Sequence, residues 1–260
     1  MKRIFFLTGM MLLCLQLSAQ FSMPPYSLAD RDLKGPVKTV TTYYEDNENG
    51  MPYTKTEHFN RMGYLESQSV NGEMRSGTTH YLFDASGRLV GEEFVDFYNY
   101  KTTYEYDKRG CIVRATTVTN YVEEGEVVYD TVEYVNGDDC KPKTIKAGDI
   151  IAHLTYDGNG RLISHKADSY QVDYTYDAAG HLLSANTNRG EFVENYIYDG
   201  KGNLSEYWEV RDGKEEAHTY HKVSDERDKY GNWLRRTITY SIEEETITDN
   251  VTRKIEYYSE

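Results

Sequence analysis

Five carboxylates share one spacing in this chain. Asp84, Asp107, Asp157, Asp177 and Asp199 each stand three residues before a glycine, at Gly87, Gly110, Gly160, Gly180 and Gly202. A series of acids invites a catalytic reading, but turn chemistry explains all five together. Asp at the first position of a type I turn accepts from the backbone N–H groups that follow it, and the glycine supplies the left-handed residue that closes the turn. The seven histidines, His58, His80, His153, His165, His181, His218 and His221, include no His-x-x-x-His pair, and His218 and His221 would point to opposite faces of a strand. No Gly-x-Ser-x-Gly elbow or phosphate-cradling loop occurs. The acidic runs Glu123-Glu124-Gly125-Glu126 and Glu243-Glu244-Glu245 read as solvated loop tips. The expectation is therefore a protein with no catalytic residue, no metal and no cofactor.

Tyrosine and cysteine hold what chemical promise remains. The chain has 25 Tyr against 8 Phe and 2 Trp, so its apolar surface is carried mostly by rings that pack while their hydroxyls reach water or a partner. Such rings could stack on sugars or anchor a protein. Tyr98, Tyr100, Tyr207 and Trp208 fall outside the repeated positions described next, and are the candidates for contacts. Cys111 and Cys140 would be the two thiols left after export. Equivalent positions of neighbouring hairpins lie roughly 9.5 Å apart, beyond the ~7 Å a disulfide tolerates, so they are expected as two separate thiols.

The elements that position these residues come from a repeat. Tyr81-Leu-Phe-Asp-Ala-Ser-Gly-Arg-Leu89, Tyr104-Glu-Tyr-Asp-Lys-Arg-Gly-Cys-Ile112, Leu154-Thr-Tyr-Asp-Gly-Asn-Gly-Arg-Leu162, Tyr174-Thr-Tyr-Asp-Ala-Ala-Gly-His-Leu182 and Tyr196-Ile-Tyr-Asp-Gly-Lys-Gly-Asn-Leu204 are five copies of one pattern, with looser copies around Gly63, Gly137 and Gly231. A period near 23 residues suits a unit of two strands and two turns. Alternation then puts Tyr174, Tyr176 and Leu182 on one face, with Tyr176 opposite Leu182 and Tyr174 opposite Ser184. Strand patterns flank Asn49-Gly50 near the start and continue from Trp233 to Tyr258 at the end; residues 136–150 read as an irregular repeat.

Composition and the N-terminus bound the setting. Met1-Lys2-Arg3, an uncharged and mostly apolar run from Ile4 to Leu17, and Ser18-Ala19-Gln20 have the form of a secretory signal peptide over residues 1–20, followed by a leader over 21–32 and a repeat domain over 33–260. No later segment is apolar enough for a spanning helix. Removing residues 1–20 would move the net charge from −14 to −16. Such a surface repels phosphate backbones, so nucleic acid is an unsuitable partner. Charges punctuate most strands, which argues against a transmembrane barrel.

The recurring Tyr-x-Tyr-Asp-x-x-Gly-x-Leu resembles the Rhs or YD-repeat family from about Leu33 to Tyr258, and Asp228-Lys-Tyr-Gly-Asn-Trp233 with Thr252-Arg-Lys-Ile-Glu-Tyr-Tyr258 resembles the ending of short exported members of Bacteroidetes type. The resemblance implies an all-β fold in which tandem hairpins form one curved, spiralling antiparallel sheet, open rather than closed. The function expected is that of a non-enzymatic binding or structural module of the cell envelope, periplasmic, cell-surface or extracellular, recognising a glycan or another envelope or secreted protein. The alternative is a glycan-active hydrolase with two carboxylates on the concave face.

Overall fold

The computed structural model describes residues 27–45, 51–73, 76–96, 98–121, 125–168, 170–242 and 245–259. The signal-peptide reading and the first half of the leader lie outside them. Eighteen strands run in order: β1 Val37–Tyr44, β2 Tyr53–Phe59, β3 Leu65–Gly72, β4 Ser76–Phe83, β5 Leu89–Val95, β6 Tyr98–Tyr106, β7 Ile112–Tyr121, β8 Glu126–Asn136 and β9 Pro142–Ala147. They continue as β10 Ile150–Tyr156, β11 Leu162–Ala167, β12 Tyr170–Tyr176, β13 Leu182–Thr187, β14 Phe192–Tyr198, β15 Leu204–Arg211, β16 Lys214–Arg227, β17 Trp233–Ile242 and β18 Glu245–Tyr257. Each pairs antiparallel with its neighbours in sequence, because short turns can join only antiparallel strands.

The sheet closes, which corrects the expectation of an open spiral. β1 pairs with β18 as well as with β2, with Val40 opposite Ile255 and Thr42 opposite Arg253. Closure leaves no edge strand to template aggregation. Eight hairpin turns of the repeated type lie on one rim, joining β2 to β3, β4 to β5 and so on to β16 and β17, and every one of these pairs shifts register by one residue beside its turn. That bulge changes one expected pair: Tyr176 does face Leu182, but Thr175 is opposite Ser184 and Tyr174 is opposite Ala185. The extra residue therefore keeps Leu182 and Ala185 both on the tyrosine face.

That face is the inside. Val40, Phe59, Leu65, Leu89, Ile145 and Val172 are buried there, while the outer wall carries ion pairs such as Lys101–Glu93, Arg114–Glu133 and Lys254–Glu256. The same wall also exposes apolar side chains such as Leu82, Val127 and Ile197. No helix among the described residues is long and apolar enough to cross a membrane.

The two chain ends complete the repeated rim. Leu28 donates to the Gly63 carbonyl, and a 3-10 turn over Ala29–Arg31 sends Arg31 to Glu57 at 3.1 Å. Lys55 reaches the same carboxylate at 3.0 Å. Gly35 has φ +83°, and a Cβ there would stand 2.9 Å from the Tyr230 ring. The ends thus form a ninth, discontinuous turn.

Candidate functional site

The rim is built from a repeated contact between adjacent turns. In each intact Asp turn the aspartate N–H donates to the carbonyl four residues on, and the glycine N–H returns to the aspartate carbonyl, as in Asp157 to Arg161 at 2.9 Å and Gly160 to Asp157 at 2.9 Å. One carboxylate oxygen accepts from the backbone two and four residues later: for Asp84 from Ser86 and Arg88, for Asp107 from Arg109 and Cys111, for Asp199 from Lys201 and Asn203. These bonds hold the carboxyls below the usual aspartate range; at Asp177 the His181 side chain is the leading cause, and at Asp199 the Asn203 side chain. The five acids are engaged by their own turns.

At five turns the residue after the glycine position reaches across to the next turn. Arg88 lies over the Tyr106 ring, Lys141 over Tyr156 and Arg161 over Tyr176, while Tyr64 stacks on Phe83 and His181 on Tyr198. At three turns the tyrosine before the aspartate reaches the other way. Tyr106 donates to the Leu89 carbonyl, Tyr156 to Pro142 at 3.0 Å and Tyr176 to Leu162 at 2.8 Å. Neighbouring repeats are therefore joined by a ring face and a hydroxyl as well as by strand pairing.

The cysteines use the same contact, and they are bridged, contrary to the expectation of two thiols. In the fourth turn Gly137 holds the aspartate position and Cys140 the glycine position, with Gly137 N–H bonding Lys141 and Cys140 N–H bonding Gly137. Cys140 accordingly takes the left-handed φ of +62°. Cys111 is the residue after Gly110, so it lies beside that position, and the two Cα atoms are 5.0 Å apart. Taking Gly137 as the repeat glycine displaces Cys140 by three residues, and the apparent separation follows from that error.

Within this half of the barrel is a recess of about 730 Å³ that reaches the rim at Gly110, Cys140 and Gly160. Tyr104, Tyr106, Tyr134, Tyr156, Tyr174 and Tyr176 line it, with aliphatic surface from Leu89, Ile112, Val132, Leu162 and Leu182. Burial pushes the Tyr156 phenol up to about 12 and raises those of Tyr106, Tyr134 and Tyr176, so the rings are neutral. Among the described residues Glu92 is the only carboxylate in the lining; Arg88 and Lys141 stand at the rim, each with a turn aspartate as partner, Asp84 at 2.7 Å and Asp139 at 3.6 Å. No cluster of three metal-ligating side chains occurs among the described residues.

The four aromatic candidates do not form one surface. Tyr100 faces inward and stacks on Phe94, with ring centres 5.3 Å apart. Tyr98 is paired with Tyr121 in the sheet, and its side chain lies outside the described residues. Tyr207 faces inward and bonds Glu209 at 2.5 Å and Glu194 at 3.2 Å, whereas Trp208 faces outward and stacks on His218, which stacks on Tyr220. Those outer rings form one stacked row, on the opposite wall from Tyr207. The recess tyrosines were legible as repeat positions; the one missed was Tyr134, two residues ahead of the irregular repeat.

A family model described as Teneurin YD-shell matches residues 40–228. No curated protein matches the sequence. Among solved structures, a porin-like protein from Bacteroides uniformis is 11% identical with a TM-score of 0.46, over 86% of this chain and 99% of that one, a likeness too distant to inform function.

Proposed function

This chain belongs to the Teneurin YD-shell family, and from that premise we propose that it is an exported, non-enzymatic binding module of the cell envelope that encloses a small ligand in its tyrosine-walled recess. The recess carries the reading: about 730 Å³ lies within the range of small-molecule sites, and its walls are mostly apolar with a few polar groups. A protein surface is too broad for it, so the partner class narrows to a small molecule, a glycan with an apolar ring face included. The hydrolase reading loses support in the same place, since a two-carboxylate mechanism needs a second acid and the lining offers Glu92 alone. Glu194 and Glu209 share Tyr207 but lie outside the recess lining.

The test is a glycan array and a small-molecule thermal-shift panel on the mature protein, repeated with Tyr134→Ala. Binding that weakens in the variant supports the reading. Failure of both screens to find any ligand would count decisively against it.

A further inference from the structure

The recess, taken as the binding site proposed above, has walls with a chemical preference of their own. Six tyrosine rings surround a largely apolar space, and an aromatic ring presents a negative face that attracts cations. Three of these rings already hold a cation of the chain on one face: Tyr106 with Arg88 at 5.2 Å, Tyr156 with Lys141 at 5.8 Å and Tyr176 with Arg161 at 4.9 Å. The charges of Arg88 and Lys141 are offset by Asp84 and Asp139, so the mouth is not a cationic gate. Beyond it lies Glu92, and the whole chain has a net charge of −14, which draws positive solutes toward any opening.

The hydroxyls argue in the same direction. The Tyr106, Tyr156 and Tyr176 hydroxyls are bonded to backbone carbonyls of the wall, which leaves the Asn136 Oδ1 as a polar atom of the lining without a partner. What these rings leave for a ligand is ring surface. An anion would meet tyrosine faces of its own sign in an acidic protein.

The geometry points to an organic cation with apolar substituents, an alkylated ammonium, as the ligand class of the recess. Its charged ammonium group would sit against the tyrosine rings that line the recess, Tyr134 among them, with the apolar body along Val132, Leu162 and Leu182. No covalent step is involved.

Titration calorimetry of the mature protein with hexyltrimethylammonium, hexanol and sodium hexanoate tests this, because the three share one chain and differ in charge. The cation should bind at least tenfold more tightly than hexanol, and hexanoate more weakly than either. Tyr134→Leu and Tyr174→Leu should bring the cation-to-hexanol ratio close to one, while Tyr129→Leu on the outer wall leaves it as it was. The ratio among ligands on the unmodified protein stands even where a variant fails to fold. Equal or tighter binding of hexanol or hexanoate, or a recess filled by a neutral glycan alone, would overturn the cation assignment and leave the enclosed-ligand reading intact. If no compound of any class binds the recess, both fall.

Discussion

The Asn232 side chain grips both backbone groups of Lys34 across 198 residues: its Oδ1 accepts from the Lys34 N–H at 2.8 Å and its Nδ2 donates to the Lys34 carbonyl at 2.8 Å. Asn232 follows the last repeat glycine and so holds the position that Arg88, Lys141 and Arg161 hold in other turns. Here the next turn is made from the chain's own beginning. Asn232 is 2% exposed, and its Nδ2 also lies 2.8 Å from the Tyr257 hydroxyl at the chain's other end.

Asn232→Ala should therefore open the seam. The change deletes a reciprocal pair of hydrogen bonds and buries a backbone N–H and carbonyl without partners, a loss of about 2–4 kcal/mol. Urea unfolding should show the midpoint fall, and amide exchange should rise first in the strands Val37–Tyr44 and Glu245–Tyr257. An exchange increase spread evenly over all strands would contradict a seam role.

The second prediction concerns the disulfide. Reduction, or Cys111→Ala with Cys140→Ala, should cost about 3–4 kcal/mol for a closed loop of this size. Because Cys140 occupies a left-handed position that other repeats give to glycine, Cys111→Ala with Cys140→Gly should recover about 1 kcal/mol of that loss. Equal stability of the two double variants would show that the position carries no backbone strain.

How much of this was readable beforehand differs by length scale. Asp84 through Gly202 revealed their turns because a type I turn with a glycine bulge is set by four consecutive residues. Closure was hidden, since nothing near Val40 or Ile255 signals that they meet, and the pairing is decided by accumulated sheet curvature. The cysteine pairing was lost to one ambiguity, Gly137 standing where aspartate stands elsewhere. Tyr207 and Trp208 were both candidates for contacts, and strand alternation sends these adjacent residues to opposite walls. The recess depends on which inward rings remain uncovered once the barrel closes, and no local pattern records that.

The tyrosine hydroxyls offer a third test. Tyr176→Phe removes the bond to the Leu162 carbonyl and should cost about 1 kcal/mol. Tyr198→Phe should cost less, because among the described residues its hydroxyl has no hydrogen-bond partner to lose, and the ring keeps its stack on His181 at 4.7 Å. Phe83, already a phenylalanine at this position and stacked on Tyr64, shows that the repeat tolerates a missing hydroxyl where a ring covers the face. Equal losses at 176 and 198, measured by chemical denaturation, would defeat the distinction.

The pH dependence of stability should have two opposed limbs. The turn aspartates are held below their ordinary value of 3.8, so their contribution is complete above that value and is lost as pH falls through the depressed range. Asp157→Asn should make the urea midpoint less sensitive to pH below about 4. Glu194 has the reverse sign. Burial raises its carboxyl above the usual range, so its contribution is present at low pH and lost as pH rises through the raised value. Glu194→Gln should consequently stabilise the protein at pH 7 and change little near pH 4, with Tyr207 still bonded to Glu209. The midpoints of wild type and both variants between pH 2 and 8 decide the matter: a Glu194→Gln gain that persists at pH 4 would mean that packing, and not the buried charge, sets the effect.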